Sequence, residues 1–117
     1  MAKLTEKSKD KKIKSEISRL RGIFKNLEEN KRKVVESLIK TAAFMAVSLE
    51  ELQALINEKG YTEEYQNGEN QSGVKQSEEV KTHIAMTKNY TSVIKLLVEL
   101  VPASKKKDGK LEALRNK

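Results

Sequence analysis

Apolar residues fall into three stripes along the chain, each with the spacing of a helix. Ile13, Ile17, Leu20, Phe24 and Leu27 recur at intervals of 4, 3, 4 and 3, which puts them on one face and predicts a first helix over 11–27. Glu28, Glu29 and Asn30 read as a short turn, with Asn30 suited to cap the next helix. Val35, Leu38, Ala42, Met45, Leu49, Leu52 and Ile56 then alternate spacings of 3 and 4, an unbroken heptad seam that predicts a second helix over 31–58. Val34, Ile39, Ala43 and Ala46 widen that seam, so this helix is expected to touch more than one neighbour. Gly60 is placed to end it with a left-handed cap.

Ser77 followed by Glu78 and Glu79 has the form of an N-cap with acidic first-turn residues, and a third helix is predicted over 78–101. It offers two adjacent stripes. One holds Val80, Ile84, Thr87, Thr91, Ile94, Val98 and Val101; the other holds Met86, Tyr90, Val93, Leu97 and Leu100. Pro102 stops it. Between helices two and three, residues 60–76 carry three of the five glycines together with Asn, Gln and Ser, and read as a long loop that Tyr61, Tyr65 and Val74 pin to the helix ends. Residues 1–12 lack apolar periodicity and read as a basic flexible arm, and residues 103–117 as a basic C-terminal tail, disordered until bound. The expected fold is therefore all-α: a short N-terminal helix followed by a long antiparallel helical hairpin with heptad-like packing, in one helical domain over 13–102.

Composition changes this picture in one respect. Of 117 residues, 37% are apolar and 35% charged, so a lone chain is short of core and a homo-oligomer is expected. The expected oligomerisation residues are Val35, Leu38, Ala42, Met45, Leu49, Leu52 and Ile56 on helix two, with Tyr90, Val93, Leu97 and Leu100 on helix three. The chain has no cysteine, which excludes disulfides, thiolate metal sites and cysteine nucleophiles. No secretory leader is expected from the Lys-rich start, and no apolar run reaches the length of a membrane span.

Catalytic chemistry has no foothold in the residue pattern. His83 is the lone histidine, Gly68 and Gly73 do not have phosphate-loop spacing, and the acidic pairs at 50/51, 63/64 and 78/79 are sequence neighbours whose side chains diverge on a helix. No enzyme activity, metal or cofactor is expected.

Charge is more informative, because it is segregated. Residues 1–40 hold 13 Lys/Arg against 6 Asp/Glu, residues 41–101 hold 5 against 9, and residues 102–117 hold 6 against 2. Basic ends flanking an acidic middle favour a polyanion partner. Lys9, Lys11, Lys12, Lys14, Arg19, Arg21, Lys25, Lys31, Arg32 and Lys33 lie within 25 residues and form the expected DNA-binding set, suited to phosphate contact rather than base reading. Within it, Lys31, Arg32 and Lys33 fall in the first turn of helix two, where the macrodipole disfavours cations; a bound phosphate would offset that placement.

Four segments together resemble a known family: NKRKVVESLIKTAAFM (30–45), LEELQALINEKG (49–60), EYQNGENQSGVKQS (64–77) and KNYTSVIKLLVELVP (88–102). They are similar to the short small terminase subunits of tailed bacteriophages, especially phages of Gram-positive hosts, over about residues 13–102. The most specific pieces are the NG…Q.G.K.S stretch and the KNY…VIK.L…L.P helix ending. The resemblance implies a non-enzymatic genome-packaging protein in the cytoplasm of the infected bacterial host. Such proteins form a homo-oligomeric ring, bind double-stranded viral DNA and regulate a separate large terminase subunit that holds the ATPase and nuclease. An N-terminal helix-turn-helix signature, present in better-known small terminases, is not visible here. The alternative is a generic oligomeric helical nucleic-acid-binding protein of regulatory or architectural type, and a helical protein–protein adaptor stands behind it.

Overall fold

A computed structural model describes residues 5–25 and 27–100. The element order is α1 (Glu6–Ile23), α2 (Glu29–Lys59), β1 (Thr62–Gln66), β2 (Ser72–Gln76) and α3 (Glu78–Leu100). The protein is mostly helical, but it is not all-α. Residues expected to be a long loop form a two-stranded antiparallel sheet, with Thr62 opposite Gln76 and Gln66 opposite Ser72.

α1 starts earlier than its apolar stripe. Thr5 caps it, its Oγ1 accepting from the Ser8 amide at 3.2 Å, so residues 6–12 are helical where an arm was expected. It ends at Ile23, four residues short of the expected boundary, with the Phe24 amide donating to the Leu20 carbonyl. α2 begins at Glu29 with Glu28 as its cap residue, so Asn30 lies inside the helix rather than capping it. At the far end Gly60 adopts φ 88°, a backbone region only glycine enters cheaply, and its amide closes on the Ile56 carbonyl at 2.7 Å. Ser77 caps α3 as its sequence indicated: its Oγ accepts from the Val80 amide at 3.2 Å, and the residue is 1% exposed. Val101 and Pro102 lie outside the described residues, as does the 103–117 tail.

The three helices share one core. Leu20, Phe24 and Leu27 from α1 and its exit meet Val35, Ile39, Ala42 and Ala43 of α2 and Leu97 and Val98 of α3. Lys59 at the end of α2 also pairs with Glu79 at the start of α3 at 3.9 Å. The start of each of these two helices thus lies beside the end of the other. The apolar core is concentrated near the α1–α2 turn, while the β-hairpin lies at the opposite end and makes few contacts with the helices. The molecule is correspondingly elongated, 62 × 27 × 25 Å.

The hairpin is held by its own side chains. Tyr65 lies across from Gly73, and its ring sits where a side chain at 73 would be: a Cβ there would come within 2.9 Å of the phenol oxygen. Glu63 and Lys75, also directly opposite, pair at 3.4 Å. The base closes through the Ser77 amide, which donates to the Tyr61 carbonyl at 2.9 Å.

Candidate nucleic-acid interface

The expected basic set separates into two groups by what each cation meets. α1 lies along α2 and is tied to it by ion pairs whose acids all come from α2. Lys9 Nζ reaches Glu51 at 3.2 Å and also lies 4.9 Å from the centre of the Phe44 ring. Lys12 reaches Glu50 at 3.3 Å, and Arg21 holds both oxygens of Glu36. Arg19 is engaged within α1, its Nε donating to Glu16 at 2.9 Å and its Nη2 to the other oxygen at 2.6 Å. The hydrogen bonds donated to these carboxylates hold both arginines more firmly protonated than usual, and the Arg21 fork holds Glu36 below the ordinary carboxylate value. Lys9, Lys12, Arg19 and Arg21 are therefore already partnered.

Lys11, Lys14, Lys25, Arg32 and Lys33 are exposed and have no ion-pair partner among the described residues, and Lys31 is half-buried without one. Lys40, outside the expected set, joins them, as does Lys7 from the basic segment at the start of the chain. Lys7, Lys11, Lys14, Ser18 and Arg21 recur at 4, 3, 4 and 3, one line down α1, and Lys25, beyond the end of the helix, lines a cleft with Arg21. Lys33 and Lys40, seven residues apart, make a matching line on α2, where Lys40 adds to the lowering of Glu36. Since Glu36 is bound to Arg21, the two lines lie side by side. The spacing in sequence marks Lys40 once the helix limits are known; before that, the apolar seam hid it, whereas Lys7 already stood among the basic residues of the arm.

The first turn of α2 carries the expected Lys31, Arg32 and Lys33, and no side chain caps the start of the helix. Starting at Glu29, the helix places the Lys31 and Arg32 amides within bonding reach of the Glu28 carbonyl, at 3.0 and 3.1 Å. Those donors are used, and Glu28 and Glu29 bring negative charge to the positive end of the dipole. Arg32 turns toward α1 and lines a cleft with Arg21, Lys25 and Glu36.

The expected oligomerisation residues also divide. Val35, Ala42, Ile56 and Leu97 are buried within the single chain. Leu38, Met45, Leu49, Leu52, Tyr90, Val93 and Leu100 are half-buried. Tyr90 faces α1, beside Glu16 and Arg19, and its phenol is pushed up chiefly by burial. On the side of α2 and α3 away from α1, positions 34, 37, 38, 41, 45, 48 and 52 and positions 82, 85, 86, 89, 92, 93, 96 and 100 carry no charged residue, in a chain that is 35% charged. Val34 and Leu96 on this band are 53% and 43% exposed.

Among the described residues no group of acidic or histidine side chains is arranged to hold a metal ion, and no helix is long and apolar enough to cross a membrane. No protein-family model, curated protein or solved structure matches the chain.

Proposed function

We propose that this chain is a non-enzymatic phage DNA-packaging protein, a small terminase subunit that oligomerises, binds viral double-stranded DNA and recruits or regulates a large ATPase/nuclease subunit. The observation that carries the reading is the division of the surface: unpaired lysines in two adjacent lines on α1 and α2, and a charge-free band on the opposite side of α2 and α3. The first suits a phosphate backbone, which rewards positive charge without demanding base contacts. Depletion of charge is the compositional mark of an interface core, and half-buried Leu38, Met45, Val93 and Leu100 supply its apolar area. In this reading α2 and α3 act as an antiparallel helical hairpin with heptad-like packing that builds a homo-oligomer, a ring in the form the family resemblance implies. α1 then rides on the outside, so that several copies present their lysine lines to one duplex and gain avidity from weak contacts. The four-segment resemblance supplies the packaging role and the large-subunit partner.

The oligomeric nucleic-acid-binding regulator draws on the same two surfaces and differs at one point, the large subunit. Light scattering of the purified chain, with and without duplex DNA, followed by a binding assay against the large subunit of the same phage, tests the reading. A defined oligomer that retains DNA and binds the large subunit is expected. A monomer at high micromolar concentration overturns the packaging role; an oligomer that binds DNA but not the large subunit points to the regulator.

A further inference from the structure

Two surfaces take no part in that assembly. The first is the β-hairpin, which stands at one end of the molecule with few helix contacts. Two-stranded hairpins are marginal in water on their own, and this one keeps Tyr61 73% and Val74 65% exposed. Residues 61–76 hold three glutamates against one lysine; Glu63 is paired with Lys75, while Glu64 and Glu69 have no ion-pair partner among the described residues. Val74 lies directly opposite Glu64, so an aliphatic side chain and an unpaired carboxylate share one face of the arm.

The second is the outer side of α3. Ile84, Lys88, Thr91 and Lys95 recur at 4, 3 and 4 and form one line. Ile84 is 53% exposed, and Lys88 and Lys95 are exposed without ion-pair partners among the described residues. This line lies apart from both the α1 lysines and the charge-free band.

We propose that the β-hairpin of one copy docks on the Ile84–Lys88–Lys95 line of α3 in a neighbouring copy, with Val74 against Ile84 and Glu64 and Glu69 against the two lysines. The inference rests on the homo-oligomer reading. Complementarity of charge selects the occupant: the arm is acidic, which disfavours DNA, and its pattern of one aliphatic residue beside unpaired acids mirrors one aliphatic residue beside unpaired bases. Such an arm adds a second, polar contact to the apolar one between subunits. It also uses a segment that does little for the fold of its own chain.

The absence of cysteine makes the contact directly testable. Val74→Cys and Ile84→Cys chains, purified separately, are mixed, allowed to exchange subunits and mildly oxidised, alongside each variant alone and a Glu58→Cys plus Ile84→Cys mixture as control. The heterodisulfide dimer should form at least tenfold faster in the Val74/Ile84 mixture than in any control. In parallel, Glu64→Lys/Glu69→Lys and Lys88→Glu/Lys95→Glu chains should each assemble more weakly than wild type, and mixing the two should restore assembly. Sedimentation of the wild type separates the two levels: a monomer sinks the oligomer reading itself, whereas an oligomer with no Val74/Ile84 preference and no charge-swap rescue overturns the docking proposal alone.

Discussion

Arg21 and Glu36, fifteen residues apart and on different helices, are joined by a guanidinium fork in which Arg21 Nε lies 2.9 Å from one carboxylate oxygen and 3.2 Å from the other. The contact ties the last turn of α1 to α2 beside the apolar core that the two helices share. It also engages a cation that lies on the lysine line of α1, so in the proposed reading Arg21 is not one of the free phosphate contacts.

The fork makes α1 docking sensitive to acid. Glu36 is held below its ordinary value of 4.5, chiefly by the Arg21 hydrogen bond and further by Lys40. A carboxylate whose folded pKa is depressed contributes stability that is present above the unfolded value and lost as pH falls through the folded one. Urea midpoints of wild type and Glu36→Gln should therefore differ at pH 7 and converge as pH drops below 4.5. A difference that stays constant down to about pH 3 would remove the fork from the account of stability.

Leu96 and Leu97 are sequence neighbours with opposite assignments. Leu97 is fully buried in the chain's own core, and its replacement by Ala should cost about 2–5 kcal/mol of folding stability. Leu96, 43% exposed on the charge-free band, should tolerate Asp with little change in helix content while the oligomer dissociates. Circular dichroism and sedimentation on the two variants check this. A Leu96→Asp chain that still assembles like wild type would place the subunit interface elsewhere.

Ser77 links the β-hairpin to α3 through its Oγ, which takes the Val80 amide, and its own amide, which binds the Tyr61 carbonyl. Ser77→Ala keeps the second bond and loses the first, at a cost of about 1 kcal/mol. Thermal unfolding should show the loss, and hydrogen exchange should place it at the first turn of α3. Unchanged exchange there would mean that the cap is not formed in solution.

These contacts show why the seams were legible and the polar elements were not. Val35, Ile39, Ala42 and Leu97 announce themselves because helical spacing is a local signal, and burial then follows from it. The first two turns of α1 have no such stripe; they dock through Lys9–Glu51 and Lys12–Glu50, whose partners are 42 and 38 residues away. The Thr5 cap was the available sign of an earlier start. Strands TEEYQ and SGVKQ are exposed along most of their length, so no alternation of apolar residues marked them. What did mark them was the Asn67–Gly68 pair, where Gly68 takes φ 78° and the Asn67 amide meets the Gln71 carbonyl at 2.6 Å. Apart from the local Arg19–Glu16 pair, the division of the cations could not be seen before the fold, since Glu36, Glu50 and Glu51 reach them only across the helix interface.

In the proposed reading, the same division should govern how DNA affinity responds to salt. If the unpaired lines meet the phosphates, Lys7→Ala/Lys11→Ala/Lys14→Ala should weaken binding and flatten the log–log salt dependence by about 0.9 for each phosphate no longer neutralised, roughly 2.7 in all if each lysine meets one phosphate. These three side chains are exposed and unpaired among the described residues, so the fold should be unaffected. Lys9→Ala/Lys12→Ala should behave differently, because both lysines already neutralise acids of α2. Its effect should fall on α1 docking, visible as a lower unfolding midpoint, with a smaller change in slope. The Lys31→Ala/Arg32→Ala/Lys33→Ala triple should lie between them: Lys33 continues the lysine line of α2, whereas Arg32 lines the cleft with Arg21 and Glu36 and Lys31 is half-buried. Fluorescence anisotropy with a duplex across a salt series measures all three. Equal slope changes for the Lys7/Lys11/Lys14 and Lys9/Lys12 variants would show that DNA pulls the ion-paired lysines from their glutamates, and the two-group division of the basic set would then fail.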